Sequence, residues 1–135
     1  MKRWILALTV LLLAAAASGA PRVDHGRKLL SHYGWVCGPE AVEMSLPLPD
    51  SFEDGPEEAY QRASKAIGYD LSAAKGQEIT LIRYTLTRRS EVTKSRLYGH
   101  VAFYKTEIIG AWLSTDGPIA PGIVPLDDDS FGKGF

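Results

Sequence analysis

Between Glu78 and Leu113 the chain carries three runs dominated by β-branched and aromatic residues: Glu78–Leu86, Leu97–Tyr104 and Ile108–Leu113. Residues of this kind fit a pleated, half-buried surface, and sequential runs joined by local turns tend to pair with each other. The spacing predicts an antiparallel meander. Its first hairpin has a long polar tip over Thr87–Lys94, and its second turns within Lys105–Glu107.

A fourth strand is predicted upstream. From Glu40 to Leu48 the side chains alternate, with Val42, Met44, Leu46 and Leu48 on one side and Glu43, Ser45 and Pro47 on the other, the period of a half-buried strand. Pro47 has no amide hydrogen for a ladder, which puts it at the strand's end or on an outer edge. Two helices complete the pattern. Asp24–Tyr33 stops at Gly34, and Pro56–Ile67 has proline in its first turn, Glu57 and Glu58 facing the positive end of the helix dipole, and Gly68 as terminator. These elements predict an α+β fold: an antiparallel sheet of about four strands, a three-strand meander plus one, with both helices packed on one face.

Ahead of this domain, Lys2 and Arg3 precede an apolar run from Trp4 to Ala17, followed by Ser18, Gly19 and Ala20. Basic residues, a short apolar core and a small-residue end make a secretory signal, and cleavage after Ala17 avoids a scissile bond to Pro21. The division expected is a signal peptide or N-terminal anchor over 1–20, the α+β domain over 22–114, and an irregular tail rich in proline and glycine over 115–135. The localisation expected is extracellular or cell envelope.

Loss of Lys2 and Arg3 leaves 13 of the 15 basic residues against 16 acidic ones. A mildly acidic chain has no global attraction to nucleic acid, although a local basic patch still binds anions. Cys37 is the only cysteine, so no intramolecular disulfide forms, and a lone thiol is most often a buried apolar group.

Motifs for chemistry are sparse. Asp127-Asp128-Asp129 lacks the alternating carboxylates, mid-loop glycine and distal glutamate of a calcium loop. His25, His32 and His100 have no zinc spacing, no nucleophile elbow surrounds a serine, and Gly132-Lys133-Gly134 does not join a strand to a helix as a phosphate loop must. No metal, cofactor or catalytic residue is assigned. The basic hairpin tip, Arg88, Arg89, Lys94 and Arg96, is the candidate anion-binding group, because arginine offers phosphate or carboxylate a planar bidentate fork. Phe131 and Phe135 in the tail are candidate anchors for a partner.

Four local segments carry a family resemblance. They are Met1-Lys2-Arg3-Trp4-Ile5-Leu6, Tyr33-Gly34-Trp35, Gly68-Tyr69-Asp70-Leu71-Ser72 leading through Lys75-Gly76 to Arg83-Tyr84-Thr85, and Ile108-Ile109-Gly110. In these the chain resembles the domain of unknown function 4830 family of small exported Firmicutes proteins. After Gly110 it departs from the pattern, with Ala111-Trp112 and a proline-rich insertion before Leu126-Asp127. The resemblance implies a small exported or membrane-tethered α+β domain and brings no activity, cofactor or catalytic residue with it.

The function expected is a non-catalytic binding or accessory module of the cell envelope, its partner an anionic wall polymer or another envelope protein. Two alternatives stand beside it. One is a small extracellular hydrolase using Cys37 or a serine with a histidine. The other is a docking protein that engages an envelope partner through its C-terminal tail.

Overall fold

The computed structural model describes residues 21–116 and 122–135. The expected signal or anchor over 1–20 and its cut site lie outside them. Among the described residues no helix is long and apolar enough to cross a membrane.

Four strands form one antiparallel sheet in chain order: β1 (Cys37–Pro47), β2 (Glu78–Arg89), β3 (Arg96–Tyr104) and β4 (Glu107–Thr115). The α+β class, the four strands and the two helices stand as expected. Helix α1 covers residues 21–32, with Gly34 at φ 88° just past its end. Helix α2 spans Pro56–Ala66, and a 3-10 turn over Leu71–Ala74 brings the chain back to β2. Asp70 caps that turn. Its Oδ1 accepts from the Ser72 amide at 2.9 Å, the Ser72 hydroxyl at 2.6 Å and Gln61 Nε2 at 2.6 Å, and these bonds hold its carboxyl down at about 2.

The helices do not share a face of the sheet. The register Tyr84↔Gly99↔Leu113 defines one face, and Arg83↔His100↔Trp112 defines the other. Helix α1 lies on the Tyr84 face: Leu30 packs where a Cβ of Gly99 would stand, and the Tyr84 hydroxyl donates to Val23 O at 2.7 Å. Gly26 lets α1 come this close, since any Cβ there would overlap the Tyr84 ring. Helix α2 wraps the β4 edge toward the Trp112 face, where Tyr60 stacks on Trp112 at 4.3 Å. The one-face expectation fails for a physical reason. The central strands are apolar on both faces, so each face needs a cover: Ile82, Tyr84, Leu97 and Val101 are buried on one, Leu81, Ala102 and Trp112 on the other.

The tail also departs from its expected role. Val124 pairs with Leu113 along the outer edge of β4, Trp35 Nε1 donates to Leu126 O at 2.8 Å, and Phe131 is 1% exposed. Phe135 packs edge-on against Phe131 at 5.6 Å, and its carbonyl accepts from Val92 N. Phe131 therefore anchors the tail to its own domain and is closed to a partner, while Phe135 packs against it and stays partly exposed. Burial of such aromatics supplies a large apolar area.

Candidate functional site

The hairpin tip is shorter than the sequence suggests, because Arg88, Arg89 and Arg96 belong to strands. The β1–β2 register slips between Cys37 and Ala41, and the β2–β3 register slips between Thr85 and Arg89. Each bulge leaves residues unpaired, bends its strand and adds twist. At Gly38-Pro39 the cause is local, since proline brings no ladder donor. The two irregularities lie side by side, and between them opens a groove of about 310 Å³ lined by Gly38, Pro39, Glu40, Thr85, Leu86, Thr87, Arg89 and Arg96.

Arg89 and Arg96 sit directly opposite each other in the β2–β3 ladder, a placement that costs stability between like charges. Both are exposed, and among the described residues neither is ion-paired. Arg89 Nη1 donates to Lys94 O at 3.0 Å, so Lys94, at φ 59°, orients one guanidinium through its backbone. Its own side chain is exposed at the tip. Arg88 goes elsewhere. Its guanidinium lies 4.5 Å from the Trp35 ring centroid and donates to Phe131 O at 3.3 Å, which removes it from the expected basic cluster.

The opposite wall of the groove is fixed by a residue that the sequence did not single out. Arg27 reaches from α1 across to the β1 bulge, donating to Gly38 O at 2.6 Å and to Pro39 O at 3.1 Å. Glu40, Thr85 and Thr87 were likewise not foreseen. Gly38-Pro39 inside an otherwise strand-like stretch was the available signal for a bulge; the residues facing it depend on pairing partners about 45 positions away.

Elsewhere the reactive groups are apart or unready. Cys37 packs on the Tyr84 face, whereas His100 lies on the Trp112 face, so the sheet separates them. Burial pushes the Cys37 thiol above its ordinary value, with Arg27 opposing, which keeps it protonated near neutrality. One serine does meet a histidine: His100 Nε2 lies 2.7 Å from Ser114 Oγ. Among the described residues, however, the buried Nδ1 has no hydrogen-bond partner to orient the ring, as a catalytic base requires. Burial, then the neighbouring Arg83, lowers the His100 pKa to about 4. The pair reads as a cross-strand polar contact packed against Trp112. Asp128 accepts from the Ser130 amide and hydroxyl at 3.1 and 2.6 Å, which forms a turn. Among the described residues no group of three acidic, histidine or cysteine side chains is placed to hold a metal.

Fold and groove together define a small α+β domain: an open four-strand antiparallel meander, one helix against one face and a second over an edge, with a basic groove at the hairpin end. The family model described as Domain of unknown function (DUF4830) matches residues 29–113, and the chain belongs to that family. Comparison with curated proteins and with solved structures finds no match.

Proposed function

We propose that the chain is an exported, non-catalytic binding module of the cell envelope that takes anionic groups in the Arg89–Arg96 groove. The observation that carries this reading is the juxtaposition, beside an open groove, of two exposed arginines in facing ladder positions, neither of them ion-paired among the described residues. An anion held between the two guanidinium groups turns a repulsive pair into two charge-assisted hydrogen-bonding forks. Export rests on the basic and apolar opening segment. The hydrolase alternative has less support, because among the described residues the sheet separates Cys37 from His100, and the His100 that meets Ser114 has no partner on Nδ1 and a lowered pKa.

Binding of the full chain to isolated envelope fragments tests the reading. Arg89→Ser with Arg96→Ser is expected to abolish retention at physiological salt, while Arg88→Ser leaves it intact. Equal retention of all three proteins would remove the groove from consideration.

A further inference from the structure

We infer that the chain pairs with a second copy of itself along the outer edge of β1, antiparallel about a two-fold axis at Met44, so that the two sheets join into one. Three features of the molecule lead to this, none of them the groove: the backbone groups that β1 leaves open, the side chains that line its edge, and the way both match when the strand is set against itself.

The sheet has two outer strands, β1 and β4, and the chain treats them differently. On β4 it covers its own edge: Ser64 bonds both backbone groups of Ala111, and Val124 exchanges bonds with Leu113. On β1 one bond fixes which groups turn outward. Leu48 N donates to Gln77 O at 2.8 Å, continuing the register Pro47↔Glu78. Residues of an antiparallel strand alternate between pointing both backbone groups at the partner and pointing both away. Leu46, Met44 and Val42 therefore bond β2, and Pro47, Ser45, Glu43 and Ala41 face outward. Pro47 sits where a missing amide hydrogen takes no bond from the sheet. The amides of Ala41, Glu43 and Ser45 are open donors, and among the described residues no hydrogen bond reaches them or the outward carbonyls from Ala41 to Pro47.

The same segment carries an apolar row. Val42 is 45% exposed, and Met44 and Leu46 beside it are half-buried. Edge strands are commonly blunted by lysine, and none stands here; the one charge between Ala41 and Pro47 is Glu43, which Arg22 Nη2 holds at 3.4 Å. Pro47 and the Gly38-Pro39 bulge bound the open segment without closing it.

Set against itself about Met44, this segment is self-complementary. The amides of Ala41, Glu43 and Ser45 meet the carbonyls of Pro47, Ser45 and Glu43 of the second copy, so each open donor gains an acceptor. Val42 faces Leu46 and Met44 faces Met44, which continues the apolar row across the axis. Glu43 faces Ser45, whose hydroxyl is a donor. Other axes fit less well. One at Glu43 sets two carboxylates opposite each other, which destabilises a ladder. One at Val42 sets Glu40 against Met44 and brings Pro39, without a donor, opposite Ser45. One at Ser45 sends Ala41 against Pro49, past the end of β1.

Engineered cysteines in the full chain test this, with Cys37→Ala throughout and oxidised glutathione as the mild oxidant. At Met44 and its copy the Cα atoms stand about 4.5 Å apart, within the range that a disulfide spans. Met44→Cys is expected to link to itself. Val42→Cys and Leu46→Cys, each about 13 Å from its own equivalent along the ladder, are expected to link at least about tenfold less when alone and to link to each other when the two proteins are mixed. Ser45→Glu, at an exposed position, sets a carboxylate opposite Glu43 twice in each dimer. It is expected to raise the dissociation constant about tenfold in sedimentation of the full chain in a nonionic detergent, and Ser45→Lys to lower it. Self-linkage of Val42→Cys as ready as that of Met44→Cys overturns the axis. Association that is unchanged by Ser45→Glu and Ser45→Lys runs through another surface and overturns the pairing. A Met44→Cys protein that stays monomeric, or links only to a different polypeptide, removes the second copy from this edge.

Discussion

Ser64 Oγ accepts a hydrogen bond from the Ala111 amide at 3.1 Å and donates to the Ala111 carbonyl at 3.4 Å. Ala111 lies in β4, the last strand of the sheet, so its outward amide and carbonyl would otherwise be left open. One wholly buried serine of α2 does for this residue what a fifth strand would do. Two residues further on, Leu113 exchanges both of its backbone bonds with Val124 of the tail. Covering of this kind blunts the middle of an edge strand against pairing with another chain.

Ser64→Ala strands both Ala111 groups in a site closed to water. An expected loss of about 2–3 kcal/mol, the cost of unsatisfied buried backbone groups, is checked by urea denaturation. A change of less than about 0.5 kcal/mol would show that water replaces the hydroxyl.

Trp35 ties the tail to the domain through its bond to Leu126 O and its edge-on contact with Phe131 at 5.9 Å. Trp35→Phe keeps the ring burial and loses the donor, at a cost of about 1 kcal/mol. Hydrogen exchange is expected to quicken at Val124 and Leu113 while the β2–β3 ladder stays protected. Uniform quickening would mean that the tail is not a separate unit.

Arg88 and Arg89 are neighbours with different work. Arg88→Ala removes a cation–π contact and a bond to the tail, and is expected to lower stability by about 1 kcal/mol without affecting anion binding. Arg89→Ala relieves repulsion with Arg96 and is expected to leave stability unchanged or slightly raised while binding falls. Thermal melts and envelope binding on the two variants read both effects, and identical behaviour would collapse the distinction.

His100 titrates at about 4 in the fold against 6.5 for the free side chain. Burial and Arg83 disfavour its charged form, so unfolding takes up a proton between these values. The fold is therefore at full strength above about pH 6.5 and loses stability as pH falls toward 4, by about 3 kcal/mol in all from this group. His100→Gln is expected to flatten that part of a stability–pH curve, and an unchanged slope would assign the loss to carboxylates.

Much of the local structure was legible in the residues. Gly34 and Gly68 both take positive φ where they were expected to stop helices, and Pro47 ends β1 on the outer strand of the sheet. The alternation from Val42 to Leu48 belongs to a strand covered only in part, with Val42 exposed and Leu48 buried. The groove was half legible. The basic cluster was visible, but its extent was not, because Arg88 and Arg89 project differently once a bulge intervenes.

The sequence by itself determined the elements and their order, because helix and strand periods, helix stops and proline positions act within a few residues. Tertiary structure alone decided that α1 and α2 cover different parts of the sheet, that Phe131 closes the core, and that Glu40, Thr85, Arg89 and Arg96 line one groove. Those outcomes depend on register. A slip of the pairing by one residue reverses the face of every side chain beyond it, and the two bulges fix that register through contacts made across the sheet.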